Sequence, residues 1–180
     1  KRTSDAVTAH FASGRTASGD VLIGADGLRS RVRGKLLADG EPVYRGYQCW
    51  RGVCNLPASE LLTETLGPGL RVGVVPIGRR GTAWWCTANE AELADDGPNG
   101  AKVKLLRWFG DWHRPIPDVI AATDPTAIIK TGIYDRRPVK NWSQGCCTLL
   151  GDAAHPTTPN MGQGGCMAVE ESAVLARCLL

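Results

Sequence analysis

Two short apolar runs lie near the two ends of the chain, and each leads into a glycine and a carboxylate. Residues 21–23 run into Gly24-Ala25-Asp26-Gly27, and residues 146–150 run into Gly151-Asp152. A continuous apolar run of this length, bounded by turn residues, is typical of a strand buried on both faces of a sheet. The first unit predicts a strand and then a short helix through Arg33, with Asp26 as its N-cap.

The segment between these units has a different pattern. Shorter runs rich in β-branched and aromatic residues are separated by Gly/Pro turns, which predicts strands at 44–53, 70–77, 82–87 and 128–133. Apolar positions at helical spacing predict helices at 101–112 and 116–122. Further predictions are a strand at 6–11 and a helix from about Gly164 to the end.

This order predicts an α/β fold with mixed α+β character. Residues 1–35 and 146–180 form parts of one Rossmann-like nucleotide-binding domain, and residues 36–145 form an inserted substrate-binding domain with a mixed sheet.

Composition excludes several classes of protein. The chain has 180 residues and a net charge of +3, and its basic residues are scattered, which argues against a nucleic-acid partner. No apolar run reaches 18 residues, so no membrane span is predicted. The seven cysteines lack zinc-site spacing, so we expect no metal, free thiols and a cytoplasmic location. The chain begins at Lys1 and ends inside a predicted helix, and we therefore expect a piece of a longer protein.

The first apolar unit contains residues suited to a nucleotide ligand. Gly27 lets the backbone approach a ligand closely, the Asp26 carboxylate is a hydrogen-bond acceptor for a ribose, and Arg33 is suited to phosphate oxygens. The alternative is that Asp26 only caps a helix and the arginines only form a solvated surface. The residues alone leave both interpretations open.

The second apolar unit places Asp152 at the carboxyl end of a strand, the edge of an α/β sheet where ligands bind. Pro159 stiffens the loop that follows, and the glycines at 162, 164 and 165 leave amides accessible at the start of a helix, whose dipole favours negative charge. The alternative is a plain glycine-rich loop. A hydrolase is disfavoured because no G-x-S-x-G elbow is present, and a zinc site because the spacing of Asp152 and His155 is wrong.

The strings VLIGADGLRSRVR and GDAAHPTTPNMGQGG resemble the two flavin-binding motifs of flavoprotein monooxygenases of the p-hydroxybenzoate hydroxylase type. Both occur in the order of that family, with an insert the size of its substrate domain between them. The resemblance implies FAD as cofactor, NAD(P)H as reductant, and dioxygen and a small molecule as substrates. It implies cofactor contacts from Asp26, Gly27, Arg33, Gly151, Asp152, Pro159, Gly162, Gln163, Gly164 and Gly165.

The family's N-terminal G-x-G-x-x-G string does not occur in this sequence. We therefore expect the chain alone to retain FAD weakly or not at all. Two rival hypotheses are a non-catalytic flavoprotein remnant that serves as a scaffold, and a halogenase or dehydrogenase on the same fold. The halogenase W-x-W-x-I-P motif is not found.

The inserted segment carries two candidates for contact with the substrate. The strand at 44–52 resembles the one that enters the substrate domain of urate and salicylate hydroxylases and zeaxanthin epoxidases, and it makes Arg45 a candidate alongside Tyr47, Cys49 and Arg51 on one face. The alternative is simple sheet packing. Asn160 is the second candidate. Urate hydroxylases are expected to carry Asp there, and Asn cannot act as a base, so phenol-like or epoxidase-like substrates are favoured over urate.

Overall fold

The computed structural model of the chain describes residues 6–57 and 60–180, without the side chain of Arg80. The chain divides into two compact units, Lys1–Val43 with Tyr134–Leu180 (unit 1) and Tyr44–Ile133 (unit 2). The divisions fall at 43/44 and 133/134, whereas the sequence placed them at 35/36 and 145/146. The assignment of these segments to cofactor and substrate stays a prediction.

The described residues form ten strands and four α-helices. The strands are β1 (Val7–His10), β2 (Thr16–Gly19), β3 (Leu22–Gly24), β4 (Val43–Cys54), β5 (Thr63–Gly67), β6 (Leu70–Pro76), β7 (Thr82–Asn89), β8 (Ile129–Asp135), β9 (Ser143–Gln144) and β10 (Cys147–Leu149). The helices are α1 (Arg31–Leu36), α2 (Gly100–Phe109), α3 (Ile116–Ala122) and α4 (Gly164–Leu179). None of these helices is long and apolar enough to cross a membrane.

Unit 1 contains the pair of strands on which the predicted site depends. Strand β3 lies parallel to β10, with Gly24 opposite Leu149, and β9 completes a sheet of order β3-β10-β9. The prediction that the two apolar runs are neighbouring strands is confirmed. The prediction of burial on both faces is wrong for β3, because Ile23 is 42% exposed.

A separate hairpin in unit 1 pairs β1 with β2. Strand β2 was not predicted, because its four residues are all exposed and carry no apolar alternation. Pairing with β1, rather than burial of side chains, is what makes this segment a strand.

Unit 2 is a five-stranded sheet of order β5-β6-β7-β4-β8, with helices packed on one face. Neighbouring strands from β5 to β4 are antiparallel, so residues in register form rows across the sheet. One such row joins Val72, Cys86 and Trp50, and the next joins Val74 to Trp84. These side chains are buried in one cluster with residues of α2 and α3, among them Leu105, Phe109, Ile116, Val119 and Ile120.

The adjacent residues Trp84 and Trp85 lie on opposite faces of this sheet. Trp84 is 1% exposed, in the core. Trp85 is half-buried across Gly73, where an added Cβ atom would lie only 2.0 Å from the ring. Gly73 is therefore required by the close approach of the indole.

The buried indole of Trp84 has one polar partner, and this generates a test of the core. Its Nε1–H donates to Thr123 Oγ1 at 2.8 Å, and Thr123 is fully buried. Thr123→Val keeps the shape but leaves that N–H unsatisfied, so we expect a loss of about 1–3 kcal/mol in the free energy of unfolding.

Chemical denaturation of the protein measures this loss. The same substitution in a Trp84→Phe background supplies the control, because the N–H is already absent there. An equal loss in both backgrounds would show that the hydrogen bond is not the cause.

Candidate functional site

A groove of about 370 Å³ lies in unit 1, at the carboxyl ends of β3 and β10. This volume is within the range of about 300–1,000 Å³ typical of small-molecule sites. Its lining residues come from both motif segments and from the first half of α4. They are Ala25, Gly27, Leu150, Gly151, Asp152, Gly164, Gly165, Ala168 and Ser172.

Asp152 is the charged residue of this groove. It follows β10 directly, in a short 3-10 turn at Gly151–Ala153, and its side chain is exposed. Within residues 6–57 and 60–180, its carboxylate has no hydrogen-bond or ion-pair partner. An unpaired carboxylate in a groove is available to accept hydrogen bonds from ligand hydroxyls.

The N-terminus of α4 also lines the groove. Gln163 occupies the N-cap position but no side chain caps the helix, and the first residues are Gly164 and Gly165. The first amides of a helix have no partner within the helix, and the helix dipole places about half a positive charge there. This end of α4 is therefore suited to a negatively charged or electron-rich group.

Asp26 does not serve the groove in the predicted way. Its carboxylate accepts hydrogen bonds from Ser30 Oγ, from Arg31 N at 2.8 Å and from Val32 N at 3.2 Å. Burial pushes the pKa of Asp26 up, but these hydrogen bonds outweigh it and lower the pKa. The N-cap of α1 is Ser30 rather than Asp26, and Asp26 reaches the same helix end from four residues upstream.

As a consequence, the N-terminus of α1 is satisfied by the chain itself. Ala25 and Gly27, on either side of Asp26, line the groove, while the Asp26 carboxylate is committed to the helix. The prediction that Asp26 accepts hydrogen bonds from a ribose is not supported by this geometry.

Arg33 also differs from its predicted role of meeting phosphate oxygens. Its side chain is 0% exposed. Nη1 donates to the carbonyls of Ala153 and Ala154 at 3.0 and 2.6 Å, and Nε donates to Asp39 Oδ2 at 2.8 Å. A guanidinium enclosed in this way has no access to a ligand, so Arg33 instead connects the first motif to the turn that carries Asp152.

A second buried arginine supports the same region. Arg136 Nε donates to Leu28 O at 2.8 Å, Nη1 donates to Gly40 O at 2.5 Å, and Nη1 lies 3.6 Å from Asp39 Oδ1. The hydrogen bond from Arg33 lowers the pKa of Asp39, and the charges of Arg33 and Arg136 add to this effect against burial. Asp39 is thus an anion shared by two buried guanidinium groups. Sequence reasoning missed this role of Asp39.

The other predicted residues of the glycine loop are Pro159, Asn160, Gly162 and Gln163, which lie in the chain between the Asp152 turn and α4. Pro159–Met161 forms a 3-10 turn that Gly162 closes with a left-handed φ of 63°, and Gln163 follows at the N-cap of α4. Asn160 is exposed in this turn, and its Nδ2 donates to Thr158 Oγ1 at 3.1 Å. None of these four residues lines the groove.

The candidate Arg45 lies on β4 in unit 2, immediately before Gly46. Gly46 has a φ of 84°, which interrupts the alternation of side chains between the two faces of the strand. The predicted face that Arg45 shares with Tyr47 and Cys49 therefore cannot be extended across Gly46. Regular pairing with β7 covers residues 47–54.

Four residues that line the groove were not predicted as site residues: Ala25, Leu150, Ala168 and Ser172. Ala168 and Ser172 are four residues apart on α4 and therefore share a helix face. Small residues at this spacing also suit close packing of a helix on a sheet, but the structure places these two along the groove. The four-residue spacing of small residues could have indicated this helix face, but it does not distinguish close packing on a sheet from contact with a ligand.

The groove fits part of a flavin cofactor. The Asp152 carboxylate matches the hydroxyls of a ribityl chain, and the uncapped amides of Gly164 and Gly165 match the electron-rich edge of a flavin ring. Among the residues that the structure describes, no cationic side chain lines the groove, and the helix terminus supplies positive potential there.

The chain matches a family of known proteins over its whole length. The model of the family described as FAD binding domain matches residues 1–180, and the chain belongs to this family. The resemblance to flavin-dependent aromatic-ring monooxygenases, inferred from the two motifs, is confirmed by the relatives.

Two curated relatives and one solved structure illustrate the match. Aurachin C monooxygenase/isomerase of Stigmatella aurantiaca is 52% identical over 178 residues, which are 97% of this chain and 46% of that protein. Chloroplastic zeaxanthin epoxidase of Solanum lycopersicum is 40% identical over 94% of this chain and 26% of that protein. HpxO of Klebsiella pneumoniae, solved with FAD and uric acid, matches with a TM-score of 0.89 and 35% identity over 97% of this chain and 46% of that one. The chain thus spans less than half the length of each.

The role assigned to Arg33 and Asp39 generates a second prediction. Removing one partner of a buried ion pair leaves the other charge uncompensated, at a cost of about 3–5 kcal/mol. Asp39 is one-fifth exposed, so we expect Asp39→Ala to lower the free energy of unfolding by an amount near the lower end of that range. Asp20→Ala, at an exposed aspartate of the same unit, is the control and should change stability by less than about 0.5 kcal/mol.

The pH dependence of this effect has a definite sign. The folded-state pKa of Asp39 is lowered from 3.8, so its contribution is complete above that value and is lost as the pH falls through the lower folded-state pKa. The stability difference between the original protein and Asp39→Ala should therefore shrink as the protein is acidified below pH 4. A difference that stays constant under acid would show that Asp39 acts by packing and not by its charge.

Proposed function

We propose that this chain is part of an FAD-dependent monooxygenase that uses NAD(P)H and dioxygen to hydroxylate or epoxidise a small aromatic or conjugated substrate. The observation that carries the proposal is the groove of unit 1, in which an unpaired carboxylate faces an uncapped helix N-terminus. Its membership of the FAD-binding family and its monooxygenase relatives support it.

In this proposal the residues of the groove bind and orient the cofactor. Asp152 accepts hydrogen bonds from the ribityl hydroxyls, and the amides of Gly164 and Gly165 stabilise negative charge on the reduced ring. A bound flavin supplies the electron transfer and oxygen chemistry, and the protein supplies position, charge stabilisation and exclusion of water. No side chain of the groove is assigned as an acid or base.

The face of the unit 2 sheet opposite the helices is proposed to bind the substrate. One register row on this face joins Arg71, Thr87 and Cys49, and the next joins Trp85 to Arg51. The half-buried Trp85 indole offers a flat apolar surface for a planar molecule.

The arginines of this face supply its charge. Arg71 Nε lies 3.3 Å from Glu64 Oε1, and Arg51 Nη2 donates to Thr131 Oγ1 at 2.6 Å. Two guanidinium groups on the rows beside an indole favour a planar substrate with an anionic or electron-rich group. The structure thus favours Arg51 and Arg71 over Arg45 for this role.

Urate is a less favoured substrate than a phenol-like or polyene compound. Asn160 is an amide, which is held by Thr158 and cannot accept a proton as a carboxylate does. The HpxO structure contains uric acid, so urate is nevertheless included among the compounds to be tested.

The function is tested with the protein in its natural full length, saturated with FAD. Candidate polyenes, phenols and urate are added in turn, and NADH and NADPH oxidation, oxygen uptake and product mass are recorded. The expected result is a compound that stimulates NAD(P)H oxidation and gains one oxygen atom. A protein that binds FAD but oxidises NAD(P)H without substrate response, and that yields no oxygenated product, would favour the scaffold hypothesis.

A third prediction tests the groove as the flavin site. A Cβ atom added at Gly165 would meet no atom of the described residues within 4 Å, apart from its chain neighbours and the backbone of its own helix, and Gly165 lines the groove. Gly165→Val should therefore preserve the fold, fill space in the groove and raise the FAD dissociation constant at least about tenfold, or about 1.4 kcal/mol. Any flavin that remains bound should have a lower reduction potential, because it lies farther from the α4 amides.

Gly34→Val is the matched control, because Gly34 is also helical, has open space around it and does not line the groove. Asp152→Ala should weaken FAD binding by roughly 10- to 100-fold, the size of a lost charge-assisted hydrogen bond of about 1.5–3 kcal/mol. Fluorescence titration measures all three variants. Equal FAD affinity for Gly165→Val and Gly34→Val would exclude the groove as the site.

A further inference from the structure

Glu171 is a carboxylate of α4 that the proposed chemistry does not use. It is one of the less exposed residues of a helix that has no fully buried residue, and its side chain is 21% exposed. Its two oxygens have separate partners in the turn that carries Asp152. Oε1 accepts a hydrogen bond from Gly151 N, and Oε2 lies 2.6 Å from His155 Nε2.

These two partners enclose Asp152. The backbone closes on itself here, because Ala154 N and His155 N both donate to Gly151 O, at 2.8 and 3.0 Å. A carboxylate that holds Gly151 and His155 therefore holds the whole turn. Since an ionised carboxylate only accepts hydrogen bonds, His155 donates from Nε2, which sets the orientation of the imidazole.

His155 extends the connection to the core of unit 1. Its ring meets the Trp142 indole edge-on, with centroids 5.8 Å apart and an interplanar angle of 65°. Trp142 packs against the cluster of Leu149, Ala153 and Ala154. Glu171 is thereby linked, through one imidazole, to the packed base of the same turn.

The groove depends on the spacing between this turn and α4. Gly151 and Asp152 line one side, while Ala168 and Ser172 line the other, on the same helix as Glu171. The two hydrogen bonds to Glu171 have defined lengths and directions, so they constrain the distance between the turn and α4. Glu171 itself does not line the groove.

We propose that Glu171 is a positioning residue, which holds the Asp152 turn at a fixed distance from the N-terminal half of α4 and so sets the affinity of the groove for FAD. This inference rests on the proposed function, in which the groove binds the cofactor. It assigns no contact between Glu171 and the flavin, and its effect is transmitted by Gly151 and His155.

The test measures FAD dissociation constants of the full-length protein with Glu171→Ala, with Asp152→Ala and with both changes. Glu171→Ala is expected to raise the dissociation constant roughly tenfold, the size of one lost charge-assisted hydrogen bond. Because Glu171 acts through the position of Asp152, the same change should have little further effect in the Asp152→Ala background. Effects that multiply in the double variant would overturn the proposal and show a merely structural role.

Glu170→Gln is the matched control, since Glu170 is the neighbouring exposed carboxylate on the same helix. It should leave the dissociation constant unchanged, and an equal loss for Glu170→Gln would show that only the charge of α4 matters. If Glu171→Ala does not fold, Glu171→Gln is measured instead. It keeps an acceptor for Gly151 N–H, and a smaller loss with the same non-additivity is expected.

The outcomes separate this inference from the proposed function. If Asp152→Ala and Gly165→Val leave FAD affinity unchanged, the groove is not the flavin site and the proposed function fails. If those variants weaken binding and Glu171→Ala does not, the groove is the flavin site and the positioning role alone is refuted.

Discussion

The burial of the Arg33 guanidinium is the constraint on which the candidate site depends. A charge with no access to water is tolerated only when its donors are matched, and Arg33 finds its acceptors in Asp39 and in the carbonyls of Ala153 and Ala154. Asp39 lies six residues further along the chain, and Ala153 and Ala154 lie 120 and 121 residues further along. These hydrogen bonds therefore join the two motif segments and permit little displacement between them. They also fix the position of the turn that begins at Gly151.

The helices α1 and α4, which follow the parallel strands β3 and β10, differ at their N-termini. The N-terminus of α1 is closed by Ser30 and Asp26, which satisfy the amides of its first turn. The N-terminus of α4 has no side-chain cap and begins with two glycines. A helix end that the chain leaves open beside an unpaired carboxylate provides both a positive and a negative element for a ligand. In the proposed function, this difference favours the N-terminus of α4 over that of α1 as the place where the cofactor binds.

The sheet of unit 2 separates its buried face from a face with polar and aromatic side chains by the alternation of side chains along each strand. Rows such as Val72, Cys86 and Trp50 bury one face against helices, while the alternate rows present Arg51 and Trp85 on the other face. The same period of two that stabilises the core therefore assigns polar and aromatic side chains to a distinct surface. In the proposed function, the residues for stability and those for substrate binding occupy opposite faces of the same strands.

The sequence by itself determined the local elements: two strand–turn units with a carboxylate at each turn, their neighbouring positions in one sheet, and a helix that begins at Gly164. Local patterns suffice for the strand–turn units and the helix because hydrophobic periodicity and turn chemistry act between residues close in the chain, whereas the pairing of β3 with β10 is long-range and was indicated by the likeness of the two units. Only the tertiary structure decided what Asp26, Arg33 and Glu171 do. The most distant of these partners of Arg33 lies 121 residues away along the chain, and that of Glu171 lies 20 residues away. For Asp26, the sequence left open whether the carboxylate caps a helix or binds a ligand. The tertiary fold decides which partner a charged side chain meets, and the spacing of residues along the sequence does not reveal which residues become close in space.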